Sequence, residues 1–472
     1  MISKDYVGGQ PLELDSRLQF LGDDCLVEDR WNLERRVGTV TKHAGNPLLC
    51  ATQPWERGAS AAVLYDRDMG KYRAWYTCFS LSGYFDPARP SYYVCYAESD
   101  DGFRWDKPLS PDRPFGQWPR SNVVYAGRTG RDGRAHQVLL NPDTADPARR
   151  FLMVTNKVDL ACSADGLTWT PAERTLIDAG SDTANHLVWV EEEALWYLYM
   201  RPPIRPARRN TLPEGRRHVG RRLALSVSPD LVEWSPVRTV MYADEREDRD
   251  IDSVRVFRRH GVFYCLYDNM HQETGSSEKE LYLATSRDGI NWERSWDRAV
   301  FVPRGEPGQW DAGQVHAPHG DPIEFGDNLL FYYGGSPSGQ ANWDREESCG
   351  AFRVRQDRFV GQHAGDTHGM LVTRQLVLSG DRLELNCSVL PTPYAECEIR
   401  VEISQCPQPG GPEEVLTGYG MDDCDPVCVD RLDAPVSWRG SQDLSALRGR
   451  AVYLRFRLRN ASLYGFRLAE AS

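Results

Sequence analysis

Apolar residues along this chain come in short, strand-length runs bounded by turn residues, without the three- and four-residue spacing of amphipathic helices. Four of these runs are Tyr93-Val94-Cys95-Tyr96, Leu160-Ala161-Cys162, Leu223-Ala224-Leu225 and Leu281-Tyr282-Leu283-Ala284. Each is followed by the same polar phrase, Ser-x-Asp-x-x-x-Trp, which opens at Ser99, Ser163, Ser228 and Ser286. In three of the four a glycine follows the aspartate, and Asp-Gly between apolar runs predicts a tight hairpin, because glycine accepts the positive φ of the turn. The serine and aspartate are suited to bonding the turn's own backbone, and Trp105, Trp169, Trp234 and Trp292 to filling space between neighbouring sheets. A unit of strands and turns repeating about every 60 residues predicts a β-propeller, one unit per blade. The repeated residues are therefore expected to hold blades together and not to react with a substrate.

Between the hairpins the strands can be followed. The first blade reads as strands at 61–65, 72–76 and 92–96, the second at 136–140 and 150–154, and the third at 186–190 and 195–201. The fourth reads at 253–257 and 262–267, and a fifth pair at 321–325 and 328–333 follows without the hairpin phrase. From about Thr367 the texture changes to strict alternation, as in residues 383–387, 398–403 and 452–458, which predicts a β-sandwich. The expected architecture is all-β: a five-bladed β-propeller over residues 1–367, with 1–40 as a lead-in, then a β-sandwich over 368–472. Residues 444–447 read as a single helical turn.

Composition narrows the function classes. A formal net charge of −12 disfavours nucleic acid and anionic membrane as partners. No apolar run approaches the roughly 18 residues of a membrane-spanning helix. The opening Met1-Ile2-Ser3-Lys4-Asp5-Tyr6 lacks the apolar core of a signal peptide, so a cytoplasmic location is expected. The 12 cysteines include no Cys-x-x-Cys, and Cys424 and Cys428 lack a second pair nearby, which argues against zinc and for buried free thiols.

Five blades followed by a sandwich resemble the invertase and inulinase type of glycoside hydrolase, and the propeller is also similar to the arabinanase and xylosidase type and to the β-mannoside phosphorylases. The ending, Trp438-Arg439-Gly440, Asp443-Leu444, Leu447-Arg448-Gly449, Leu454-Arg455-Phe456 and Ala461 to Phe466, looks like the close of the invertase-type sandwich. That type carries Asn-Asp-Pro-Asn, Arg-Asp-Pro and Glu-Cys motifs, and none of them stands here. The first three blades offer instead Gln53-Pro54-Trp55-Glu56, Ala135-His136-Gln137 and Ser181-Asp182-Thr183-Ala184-Asn185-His186. The resemblance implies a carbohydrate-active scaffold and leaves the catalytic residues to be argued from geometry.

In a propeller the first strand of each blade lines the central channel, so residues just before those strands converge at one mouth. Reading these positions gives Trp55 and Glu56; Asp132 and His136; Asp182, Asn185 and His186; Asp248, Asp250 and Asp252; and Asp311, Gln314, His316 and His319. Cleaving a glycosidic bond needs two carboxyl groups flanking it, one protonated and one ionised. Glu56, Asp182 and Asp252 are the expected catalytic set, with His43, Trp55, His136, His186, Arg201, Asp311, His316 and His319 as substrate-binding residues. Against this stands the ordinary reading, that aspartates before strands are solvated turn residues. Residues 201–222 hold eight arginines among prolines; a solvated loop is the simpler reading, an anionic sugar or a second subunit the other. Three functions fit: a glycosidase, a glycoside phosphorylase with a cationic phosphate pocket, and a non-catalytic carbohydrate-binding propeller. The expected partner is a carbohydrate; no cofactor is required, a structural calcium in the central channel is allowed, and so is a homo-oligomer.

Overall fold

A computed structural model describes residues 10–86, 88–142, 145–178, 181, 185–202, 221–247, 251–271, 277–342, 346–406 and 412–470. Three successive antiparallel sheets have four strands each. They are Ser60–Asp66, Lys71–Phe79, Tyr92–Ser99 and Val123–Tyr125; then Gln137–Leu140, Phe151–Thr155, Asp159–Ser163 and Thr170–Pro171; then His186–Val190, Leu195–Met200, Arg222–Ser228 and Arg238–Tyr242. A nine-stranded sheet supplies two further strand sets, joined by one parallel pair, Lys279 to Gln314. The fourth set is Val254–Arg259, Val262–His271, Glu278–Ser286 and Glu293–Arg294. The fifth is Gln314–His316 and Ile323–Phe325, Asn328–Ser336, Ser348–Arg355 and, from far upstream, Val40–Lys42.

The sets close into a ring. The strand Ser60–Asp66 lies beside both Gln137–Leu140 and Asn328–Ser336, and His186–Val190 lies beside Val254–Arg259. Buried side chains tie one inner strand to the next: Gln137 exchanges two bonds with the backbone of Leu187, at 2.9 and 2.7 Å. His186 Nε2 accepts from the Val256 amide at 2.9 Å, and Arg255 reaches Asp321 and the His319 carbonyl.

Each repeated phrase is the hairpin between the third and fourth strands of its set. Ser163 Oγ accepts from the Gly166 amide at 2.8 Å, and Asp165 Oδ1 accepts from the amides of Leu167 and Thr168, both at 2.8 Å. The same bonds recur at Ser99 and Asp101 and at Ser286 and Asp288. The glycine carbonyls face the preceding set and accept from its second strand: Gly102 from Tyr332 at 2.8 Å, Gly166 from Trp75 at 2.6 Å, Gly289 from Tyr199 at 2.9 Å. A Cβ on Gly166 would stand 2.7 Å from the Trp75 ring, and its φ of +74° already excludes most side chains. The third set has Leu231 at this place, which packs in an apolar cluster with Leu152 and Val154 of the second set. The facing strand, Phe151–Thr155, carries no ring donor that would need a carbonyl there. The fifth set lacks the phrase for a plain reason: its fourth strand, Val40–Lys42, comes from upstream, so no hairpin joins strands three and four.

Two sheets packed on one core form the C-terminal sandwich. Val452, Leu454, Phe456 and Leu458 of Ala451–Arg459 point into it together with Leu371, Leu383, Leu385, Ile399, Val401 and Phe466, while the alternating Arg455 and Arg457 point out. The upstream residues differ from the expected lead-in. Leu12–Glu13 and Val27–Trp31 pair into one of these sheets, Gln19–Phe20 and Glu34–Val37 into the other, and Val360–Ala364 joins the second sheet as well. Their alternation is too short to mark them as sandwich strands before the partners are known. The only α-helix among the described residues is Leu81–Phe85, and Ser445–Leu447 forms the expected single turn as a 3₁₀ helix.

Candidate active site

At the axis of the ring is a cavity of about 440 Å³ whose wall takes residues from every strand set. The first contributes Arg57, Ser60, Thr77, Phe79, Tyr84 and Tyr92, and the second Asp132, Arg134, His136 and Asn156. The third contributes His186, Arg201 and Arg221, the fourth Asp252 and Ser253, and the fifth His316, His319, Gln340 and Glu347. Residues that begin inner strands thus meet although they are far apart in sequence.

Asp252 is the most heavily compensated acid on this wall. Its carboxylate takes Arg201 at 2.9 Å, Arg221 at 3.1 Å and Lys279, whose ammonium is wholly buried. Burial alone would raise its pKa, but Lys279, Arg221 and Arg201 outweigh that and hold it well below the usual carboxylate range. Behind it Asp268, also fully buried, accepts from the amides of Asp252 and Ser253 at 2.8 and 2.7 Å, fixing the backbone that carries Asp252. Asp252 is therefore an ionised group, suited to act as a base, a nucleophile or a charge stabiliser and unsuited to donate a proton. Two other carboxyls line the same wall. Asp132 accepts from Asn156 at 2.6 Å, and Glu347 lies 3.6 Å from His316 Nε2.

Two imidazoles on the wall, His136 and His319, are held neutral. Burial, then Arg134 and His316, bring His319 down to about 3, and burial with Arg134 and His319 brings His136 well below its ordinary value. His136 Nε2 is 2.6 Å from Asn156 Oδ1, so that nitrogen carries the proton. His319 Nδ1 and His316 Nε2 are buried atoms that make no hydrogen bond among the described residues. Buried imidazoles of this kind suit hydroxyl groups. The depressed values of His136 and His319 make a pH prediction. Between about pH 6.5 and 3 the unfolded chain binds a proton at His319 and the folded chain does not, so stability is full above about 6.5 and falls on acidification. His319 should contribute about 1.4 kcal/mol per pH unit in that window, and His136 acts in the same direction. Chemical denaturation from pH 7 to 4 should show a steep loss that flattens in a His319→Gln variant.

Not every residue expected at the mouth is there. Glu56 lies behind the first set with its carboxylate fully buried: it accepts from the amides of Thr52 and Gln53, from Lys107 at 2.7 Å, from Asn122 at 3.3 Å and from the Tyr76 hydroxyl. Burial would raise its pKa, but Lys107, Tyr76 and the two amides lower it. Every lone pair is engaged and no face meets the cavity, so Glu56 is corrected from a catalytic to a structural role. Trp55 is buried with it, donating to Asn122 at 3.0 Å and tilted against Trp118. His43 follows the outermost strand of the fifth set, stacks on Phe103 at 4.5 Å and accepts from the Gly45 amide, at the rim and not the axis. Asp311 is buried against Lys42 at 2.6 Å and the Tyr333 hydroxyl at 2.8 Å, off the cavity wall. Asp182, Asp248 and Asp250 lie outside the described residues, as does most of the arginine-rich stretch. Glu56→Gln is expected to lower stability by about 2–3 kcal/mol through the loss of charge-assisted bonds, while turnover per folded molecule stays intact. Thermal unfolding and an activity assay on the same preparation check both halves.

Arg57, Arg134, Asn156, Tyr84 and Glu347 were not singled out from the sequence, and Arg221 only as one of the eight arginines of residues 201–222. Arg57 and Arg134 flank positions that were, and a window widened by one residue finds them. Glu347 enters just before the third strand of its set, where the inner-strand rule does not look. Among the described residues no three carboxylate, imidazole or thiol groups converge as metal ligands, so the calcium allowed from the sequence has no described ligand set.

No protein-family model and no curated protein matches this chain. Among solved structures it is similar to the catalytic domain of a GH62 α-L-arabinofuranosidase from Coprinopsis cinerea, with 13% identity over 68% of this chain and 98% of that one and a TM-score of 0.47. It is similar also to a structure described as a glycoside hydrolase, with 13% identity over 67% and 92% and a TM-score of 0.46. A third, described under the GH130 mannoside phosphorylases and glycoside hydrolases that target β-1,2-mannosidic linkages in Candida mannan, has 14% identity over 67% and 94% and a TM-score of 0.43.

Proposed function

We propose that this chain is a glycosidase working at the axial cavity of a five-bladed propeller, the fourth and fifth blades being the two halves of the nine-stranded sheet. The observation that carries the reading is the pairing of one carboxylate held ionised, Asp252, with two further carboxyls, Asp132 and Glu347, on a wall that also carries four imidazoles. Glycoside cleavage needs such an unequal set: the ionised member faces the anomeric carbon or its attacking water, and a second carboxyl protonates the leaving oxygen. Asp252 takes the first role. Glu347, beside His316, is taken for the second, with Asp132 and Asp182 as the remaining candidates. His136, His186, His316, His319 and Arg201 then contact sugar hydroxyls.

Four arginines on the same wall, Arg57, Arg134, Arg201 and Arg221, support a second reading as a glycoside phosphorylase, in which inorganic phosphate replaces water as the nucleophile. One experiment separates these. Incubation of the purified protein with a panel of oligosaccharides, with and without phosphate, should release free sugar without phosphate if it is a hydrolase and sugar 1-phosphate only with phosphate if it is a phosphorylase. Release of neither, with binding retained, would leave a carbohydrate-binding propeller and overturn both.

A further inference from the structure

On the side of the first blade the cavity wall turns aromatic. Phe79 and Tyr92, on neighbouring strands, both line the cavity with rings 4.9 Å apart. Tyr84 stands edge-on to Phe79 at 6.0 Å and also lines the cavity, and Phe85 stands edge-on to Tyr84 at 5.3 Å. The rings run from the wall out to water, Tyr84 being 47% exposed and Phe85 75%.

The two outer rings ride on Leu81–Phe85, and that short helix is fastened. Ser80 Oγ accepts from the Gly83 amide at 3.1 Å, and the Ser80 amide donates to the Ser91 carbonyl at 2.8 Å. Arg131 donates to the carbonyls of Gly83 and Asp86 at 3.5 and 3.3 Å. Gly83 lies so close against the Pro90 carbonyl that a Cβ would collide with it. A large apolar ring kept in water on a fixed support gains nothing for the fold, and such surfaces mark binding sites. The ring face carries no hydrogen-bonding group and is electron-rich, which matches the C–H face of a sugar ring.

We propose that Tyr84 and Phe85 form a second sugar subsite, continuous with the cavity, which holds the unit on the far side of the bond to be cleaved. The inference rests on the glycosidase reading and makes the substrate an oligosaccharide or polysaccharide, not a glycoside of a small alcohol. Continuity with the cavity selects this occupant: a chain with one sugar in the cavity must leave it along some wall, and this wall offers flat rings at its edge.

The test compares wild type with Phe85→Ala and Phe85→Trp on two substrates of the same reacting sugar, an oligosaccharide and the glycosyl fluoride, whose leaving group is too small to reach the ring. Phe85→Ala should lower kcat/KM on the oligosaccharide about tenfold, one aromatic contact's worth, and leave the fluoride unchanged. Phe85→Trp should restore the oligosaccharide rate. Equal rates for wild type and Phe85→Ala on the oligosaccharide, or equal losses on both substrates, would overturn the subsite. So would a dimer in wild type that Phe85→Ala dissociates, since the ring would then serve a second copy. Affinity electrophoresis in the same glycans separates this from the glycosidase reading: Phe85-dependent binding without cleavage sinks the hydrolase and keeps the subsite, and cleavage without Phe85 dependence does the reverse.

Discussion

Asp252→Asn is expected to reduce turnover by about 10³-fold or more, because the amide can neither accept a proton nor stabilise positive charge at the anomeric carbon. It will also destabilise. Arg201, Arg221 and the fully buried Lys279 converge on this carboxylate, and removing its charge takes from them a shared counter-ion at a cost of about 3–5 kcal/mol. The two effects are separated by adding Lys279→Met, which removes the most buried of the three cations. The double variant should regain much of the lost stability in urea unfolding and none of the activity; recovery of both would make Asp252 a structural anchor. The sign of the pH dependence follows from the depressed pKa. The stabilisation from Asp252 is complete above the unfolded value near 3.9 and is lost only as pH falls through the much lower folded value. Any acidic limb of the activity profile at pH 5 or above must therefore belong to another group.

Trp169→Ala is expected to cost about 3–5 kcal/mol through the cavity it leaves. Trp169 is buried, stands edge-on to Trp75 of the first set at 6.2 Å, and shares the Gly166 carbonyl with it, at 3.1 Å from its own Nε1. Truncation thus opens the seam between two blades. Thermal unfolding should drop sharply while activity per folded molecule holds; normal stability with lost activity would place this tryptophan in the site instead.

The hairpin phrase was legible because it is local: four serines and four aspartates bond amides two or three residues ahead, and sequence alone can express that. The missing fifth copy was not, since only the strand pairing reveals that Val40–Lys42 supplies the edge. The same distinction divides the site. His136, His186, Asp252, His316 and His319 begin or adjoin strands whose direction the ring dictates, and the structure brings them to one cavity. Glu56 stands four residues before its strand, room enough for the loop to turn back, and its surroundings are set by Lys107 and Asn122, which no short-range pattern connects to it. Polar residues at inner strands also have a second use that sequence cannot separate from binding: Gln137 and His186 bond the backbone of the next blade.

The return of the upstream strands to the C-terminal sandwich has a consequence for biosynthesis. Gln19 pairs with Phe466, and Val40–Lys42 lies immediately after Glu34–Val37, which pairs with residues 360–363. A ribosome working at about 5–20 residues per second needs roughly 20–90 s to cover the interval between the two halves of that first pairing. Until residues 360–377 emerge none of the upstream sandwich strands has its partner, and Gln19–Phe20 waits the full interval, with edges open to other nascent chains. The blades in between can fold as they emerge, but the sandwich cannot be completed until residue 466 has been made. The protein is thus of a kind whose yield depends on what shields residues 12–42 while residues up to 466 are being made.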